Sequence, residues 1–120
     1  MSDQEVRVSH LLVKHTESRN PVSRRTGKHV TLVPRDAMTE LLAIKASLLE
    51  NEADYSNIFY EKANERSDCS SYSKYGDLGF FGRGAMQAPF EEASFALNIG
   101  EMTKEIVVTD SGYHLIYRIA

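Results

Sequence analysis

The sequence predicts an α+β domain whose two ends meet in one sheet, and three observations carry that reading. Strand patterns stand near both ends, Val- and Leu-rich over 6–13 and a second apolar run over 113–119. Apolar stripes at helical spacing occupy the interior, and Gly- and Pro-bearing turns divide the segments. Strands at the ends with helices between them form one core rather than two domains. At 120 residues the chain has the size of one domain and can bury a core without disulfides or a structural metal.

Residues 6–13 alternate imperfectly and suit a central strand covered on both faces. Residues 15–33 lack helical periodicity and contain Asn20-Pro21 and Thr26-Gly27, so they read as a long loop, functional or solvated. Pro34 suits the first turn of a helix running to about Glu50, with Ala37, Leu41, Ile44 and Leu48 as its stripe, joined by Met38, Leu42 and Leu49. Asp54 is the expected N-cap of a second helix, in which Tyr55, Ile58, Phe59, Ala63 and Arg66 share one side. The polar run 67–77 holds one short helical turn, and Leu78-Gly79-Phe80-Phe81-Gly82 reads as a short strand. A further helix over 90–97 faces Phe90, Ala93 and Leu97 inward and stops near Asn98 and Gly100. Residues 104–108 and 113–119 form a hairpin around Asp110-Ser111-Gly112.

Charge is distributed unevenly. Lys14, Arg19, Arg24, Arg25, Lys28 and Arg35 face one acid, Glu17, between 14 and 35, a local balance of +5 within a net charge of −3. A basic segment on an acidic body points to a discrete anionic ligand and away from nucleic acid. Cys69 is the only cysteine, so no intrachain disulfide or paired Cys/His metal site is expected, and a reducing compartment, cytosol or nucleus, fits. No signal segment is read in residues 1–5, and no apolar run nears the roughly 20 residues of a membrane helix. Without heptads or repeats, a monomer is expected.

Several fragments then resemble one family in order and spacing. They are Ser9-His10-Leu11-Leu12-Val13-Lys14-His15, Ser67-Asp68-Cys69-Ser70-Ser71, Gly76-Asp77-Leu78-Gly79-Phe80-Phe81, the run 83–91, Ala93-Ser94-Phe95-Ala96-Leu97, Gly100-Glu101-Met102, and Thr109-Asp110-Ser111-Gly112-Tyr113-His114. Together they resemble the parvulin-type peptidyl-prolyl cis/trans isomerases, in their phosphorylation-directed Pin-type branch. The resemblance implies a four-stranded antiparallel sheet surrounded by four helices, in the parvulin/FKBP-like superfold. It covers 6–120, leaves 1–5 as a short tail without a WW module, and implies no cofactor or metal. The implied partners are proteins with phosphorylated Ser/Thr-Pro segments, neither nucleic acid nor membrane.

For the site, the resemblance implies a proline pocket of Leu78, Met86 and Phe90, with Phe81 as wall or support and Gln87 lining or bracing it. Without the resemblance these residues read as ordinary core. His10 and His114 are implied to pair at the sheet centre beside Thr109, with Ser111 bracing the site, in a structural and electrostatic role; a lone histidine in an apolar strand otherwise reads as core. Cys69 is read as a noncovalent participant near the rotating amide rather than a nucleophile, since rotation forms no bond to the substrate. Lys14 and Arg19 match the family's phosphate-facing positions. Asn20 replaces the second member of a basic pair, and Arg24 and Arg25 are expected to compensate if the loop folds over the ligand.

Overall fold

The computed structural model describes residues 4–50 and 55–120. Four strands, β1 (Val6–Val13), β2 (Asp77–Phe81), β3 (Val107–Thr109) and β4 (Gly112–Arg118), form one antiparallel sheet in the order β2-β1-β4-β3. The chain ends therefore supply the two central strands, as the sequence predicts, and the Arg7 N–H donates to the Ala120 carbonyl at 2.9 Å. Among the described residues three α-helices accompany the sheet: α1 (Pro34–Leu49), α2 (Tyr55–Arg66) and α3 (Ala88–Ala96). The fourth expected helix is a 3-10 turn over Ser70–Lys74. Its five residues directly follow Cys69 and end at Tyr75 in the left-handed region, too short a span for an α-helix.

Alternation along the central strands sorts side chains onto two faces. Leu11 and Val13 of β1 join Leu115 of β4 under α1 and α2, where Ala37, Leu41, Leu48, Phe59 and Ala63 complete one apolar cluster. Val6, Val8 and Ile116 face α3 with Phe81 and Phe90, and Leu78 and Met86 pack at the margin of that second cluster. His10 and His114 share the parity of Val8 and Ile116, so both imidazoles fall on the α3 face. In the register, His10 lies opposite Ile116 and His114 opposite Leu12. The two rings are thus diagonal neighbours across adjacent strands, within reach of one another.

Helix α1 starts on Pro34, whose missing N–H costs nothing in the first turn, and Asp36 stands in that turn, where the helix dipole favours an acid. Its buried stripe is narrower than the pattern implies: Leu42 and Leu49 are exposed because the sheet covers only the side that Ala37, Leu41 and Leu48 occupy. The expected N-cap Asp54 lies outside the described residues. The strand read over 104–108 is shorter and later, over Val107–Thr109, because Thr103 and Glu101 instead exchange backbone bonds with Ile116 and Arg118.

Loop 15–33 is folded back on itself. Val22 and His29 form an isolated antiparallel bridge, the Gly27 N–H donates to the Ser23 carbonyl at 2.8 Å, and the Thr16 N–H reaches Leu32 at 2.9 Å. Beyond the 3-10 turn, Gly76 adopts φ +83°, and a Cβ there would stand 2.4 Å from the His10 carbonyl and 2.6 Å from Ser9 Oγ. The His10 N–H donates to the Gly76 carbonyl at 3.0 Å, so this close passage fixes the turn against the strand that carries the histidine. Gly76→Ala is expected to lose about 2–4 kcal/mol of stability from clash and backbone strain. Chemical denaturation measures it, and an unchanged midpoint would contradict the close-passage account.

Candidate active site

Three side chains and one backbone N–H form a line across the α3 face of the sheet. Ser111 donates its N–H to Thr109 Oγ1 at 3.1 Å, Thr109 Oγ1 lies 2.7 Å from His114 Nε2, and His114 Nδ1 lies 3.1 Å from His10 Nδ1. Both imidazoles are 4% exposed, with ring centroids 5.2 Å apart and planes 21° from parallel. Phe90 meets each ring edge-on, at 5.3 Å from His10 and 5.1 Å from His114. Burial pushes His114 well below its ordinary pKa, and the neighbouring His10 adds to this. A neutral His114 has one N–H to give, so it donates in at most one of its two contacts, to His10 Nδ1 or to Thr109 Oγ1.

With Nδ1 turned to His114, the remaining nitrogen of His10 is Nε2, which is buried without a hydrogen-bond partner of full geometry. The hydroxyl of Ser71, on the 3-10 turn, is buried in the same condition. Both groups act on the half-buried thiol of Cys69. Burial pushes that thiol up, but hydrogen bonding and charge from His10, with the hydroxyl and backbone of Ser71, outweigh it and bring Cys69 from 9.0 to about 6. Neither group is in a formed hydrogen bond with the thiol, so their pull acts through looser approaches.

The apolar set lies beside the histidines. Phe90 and Phe81 are buried, with ring centroids 6.2 Å apart, and Leu78 and Met86 are half-buried at their edge. Phe81 is 5% exposed, its ring tilted 47° from that of Phe90. The segment carrying Met86 is tied down by Glu91, which accepts the Gly84 N–H at 2.6 Å and pairs with Arg83 at 3.2 Å. Gln87 bridges to the hairpin turn, donating through Nε2 to Ser111 Oγ at 2.9 Å and accepting the Asp110 N–H at 3.1 Å.

The basic loop meets this region in a cleft of about 260 Å³ lined by Leu12, Lys14, Arg19, Asn20, Arg24, Cys69, Ser70 and Ser111. Arg19 and Arg24 are exposed there. Lys14 is 6% exposed, and its Nζ donates to the carbonyls of Asn20 at 2.9 Å and Val22 at 2.8 Å. Arg25 is not in the cleft lining: it turns to Asp68, with Nη2 3.9 Å from Oδ1, because that buried carboxylate draws the loop guanidinium inward. Asp68 is the residue that motif reading passed over. Only its spacing before Cys69 marked it, while its carboxylate, 2% exposed, accepts the Lys14 N–H at 3.0 Å, the Ser23 hydroxyl at 2.7 Å and Arg66 Nη1 at 3.1 Å. Among the described residues, no group of three or more His, Cys, Asp or Glu side chains is placed to hold a metal ion, and no helix is long and apolar enough to cross a membrane.

An antiparallel sheet with a central histidine pair, a flanking thiolate and an adjoining aromatic wall defines a parvulin-type isomerase. Residues 10–120 match the family described as Rotamase: PPIC-type PPIase domain, and the chain belongs to that family of peptidyl-prolyl cis/trans isomerases. Within it the chain is of the Pin1/ESS1 type. It is 50% identical over 115 residues to the peptidyl-prolyl cis-trans isomerase NIMA-interacting 1 of Theileria annulata, spanning 96% of this chain and 80% of that one. It is 46% identical to Pin1 of Digitalis lanata over 121 residues, 98% of each chain. The solution structure of TbPIN1 superposes over the whole of both chains with a TM-score of 0.84 at 48% identity.

The thiolate has a titration signature. Because its folded pKa lies below its unfolded value, ionisation of Cys69 stabilises the fold fully only above about pH 9, and this contribution fades as the pH falls to about 6. Alkylation by iodoacetamide, followed as rate against pH, is expected to show a midpoint near 6. His10→Asn should move it upward, towards the range of a free thiol. A midpoint that ignores this substitution would remove His10 from the account of the thiol.

Proposed function

We propose that residues 6–120 act as one monomeric isomerase domain, with 1–5 as a tail, preferring Ser/Thr-Pro segments phosphorylated on the residue before proline. The cytosol or nucleus suits a thiol kept ionised and reduced. The reaction is rotation about an amide whose partial double bond sets a barrier of about 18–20 kcal/mol. Binding the twisted amide more tightly than either planar isomer lowers that barrier, and no bond to the substrate has to form. In this reading Leu78, Met86 and Phe90 receive the pyrrolidine ring, with Phe81 beneath. Gln87 and Ser111 brace the rim, and the Thr109–His114–His10 line holds the thiolate of Cys69 beside the carbonyl that turns. A fixed negative group there disfavours the planar ground state, in which the carbonyl oxygen carries most of its own partial charge.

One observation supports the phosphate preference above all. The cleft that holds Cys69 and Ser111 is walled on its other side by the basic loop, so a phosphate on the residue before proline falls among cations while the ring reaches the apolar wall. Charge-assisted bonds to phosphate are the strong ones, and guanidinium makes them in pairs.

Exchange NMR on matched peptides tests both parts. A phospho-Ser-Pro peptide should interconvert at least about tenfold faster, at equal enzyme, than its unmodified form, a difference that about 1.4 kcal/mol of phosphate binding supplies. Equal rates would defeat the preference and leave the isomerase intact. Cys69→Asp, which retains a negative group, should keep appreciable turnover, while Cys69→Ala should lose most of it. Mass spectrometry of the working enzyme should find no substrate adduct, and a trapped thioester would overturn the noncovalent role.

A further inference from the structure

We infer that Glu91 is a positioning residue for proline binding: by holding the Gly84 N–H, its carboxylate fixes the wall that Met86 presents to the ring, and so sets KM rather than kcat. The inference rests on the reading of Leu78, Met86 and Phe90 as the proline pocket.

Two sides of that pocket are held by different means. Phe90 stands on α3, buried against both imidazoles. Met86 stands on the connection between β2 and α3, where residues 83–85 are exposed. Among the described residues, no backbone–backbone hydrogen bond ties 83–86 to the rest of the domain. The pairing of Phe81 with Val6 fixes the near end of this connection, and Gln87 fixes the far end through Ser111 and Asp110. Between those ends the holds come from α3. Glu91, one residue beyond Phe90, accepts the Gly84 N–H through Oε1 at 2.6 Å and Arg83 Nη1 through Oε2 at 3.2 Å. The Arg83 guanidinium also lies over the Phe95 ring, 4.3 Å from its centroid.

These holds are unequal. The Arg83 side chain is 60% exposed, and an ion pair or a cation over a ring that stands in water contributes little. The Glu91 side chain is 16% exposed, and its bond to the Gly84 N–H is charge-assisted and therefore stronger. Gly84 stands at φ +88°, which glycine adopts without strain, and the turn so formed aims its N–H at α3. The effect on the reaction follows from which part of the substrate moves. The pyrrolidine ring rests against Met86 in the cis, twisted and trans forms alike, since the carbonyl is the part that turns. A wall that touches all three forms equally binds ground and transition states equally, and loosening it raises KM while kcat stays.

Steady-state kinetics on phosphorylated and unmodified peptides test the assignment. Glu91→Ala should raise KM roughly tenfold for both and leave kcat within about twofold. Glu91→Gln keeps a neutral acceptor for the Gly84 N–H and should raise KM about fourfold, while Arg83→Gln should leave it within about 1.5-fold. Both Glu91 variants lose the same charge from the first turn of α3, so an effect of the helix dipole alone would move them equally. By NMR, the Gly84 amide proton should shift upfield in Glu91→Ala and stay in place in Arg83→Gln. A fall in kcat at unchanged KM, or equal rises in KM from Glu91→Ala and Arg83→Gln, overturns the inference. If Glu91→Ala does not fold, Glu91→Gln must still exceed Arg83→Gln in KM, and equality overturns it. Met86→Ala separates the inference from the pocket reading. A KM raised by Met86→Ala but untouched by Glu91→Ala leaves the pocket standing without Glu91, and a KM untouched by Met86→Ala sinks both.

Discussion

The carboxylate of Asp68 is the constraint around which the site is built. A buried carboxylate is tolerated only when its oxygens are fully bonded. Here four partners come from three places in the chain: the N–H of Lys14 at the end of β1, the hydroxyl of Ser23 and the guanidinium of Arg25 in the loop, and Arg66 at the end of α2. The backbone of Asp68 adds two more ties, giving its N–H to Leu12 and accepting from Arg24, each at 2.8 Å. Arg66 in turn pairs with Glu40 of α1. One group thus sets how the basic loop lies on the sheet, and the next residue along the chain is Cys69. The cations and the thiolate share a cleft because both are positioned from the same anchor.

The histidine line obeys a different rule, that of strand parity. His10 and His114 occupy positions that would suit valine or isoleucine, on the two strands with the most protected edges. Their cost is desolvation, and it is offset by pairing ring to ring and by the Thr109 contact rather than by water. Phe90 then closes over both rings and, through its other side, meets Phe81. The aromatic wall and the polar line are therefore one packed unit, so a change in α3 reaches the imidazoles directly. Cys69 stands at the end of this unit, where His10 and Ser71 draw its pKa down.

Much of this was legible in the sequence. The bounds of β1 follow from its apolar run, the start of α1 from Pro34, and the turn after Cys69 from its polar composition. The meeting of the ends in one sheet followed from the strand patterns, and the roles of the histidine, cysteine and apolar positions came with the motifs. What was not legible depended on direction. Composition counts Lys14 and Arg25 with the other cations, but it does not say that one points at carbonyls and the other at a buried acid. Asp68 was hidden because its partners Lys14, Ser23 and Arg25 lie more than forty residues away in sequence. Leu42 and Leu49 match helical spacing, yet the sheet is too narrow to cover them. The first edge of the final hairpin was misplaced because backbone pairing at Thr103 and Glu101 does not need a strand pattern.

The central claim is that Asp68 couples the loop to the thiol, and Asp68→Asn tests it most directly, since it removes the charge and keeps the shape. Hydrogen exchange across 19–30 and the pH dependence of Cys69 alkylation are measured on the same preparation. The account predicts that both change together: loop amides lose protection and the thiol midpoint moves from its value in the unsubstituted protein. Unaltered loop protection with an unaltered midpoint, in a folded variant, would contradict it.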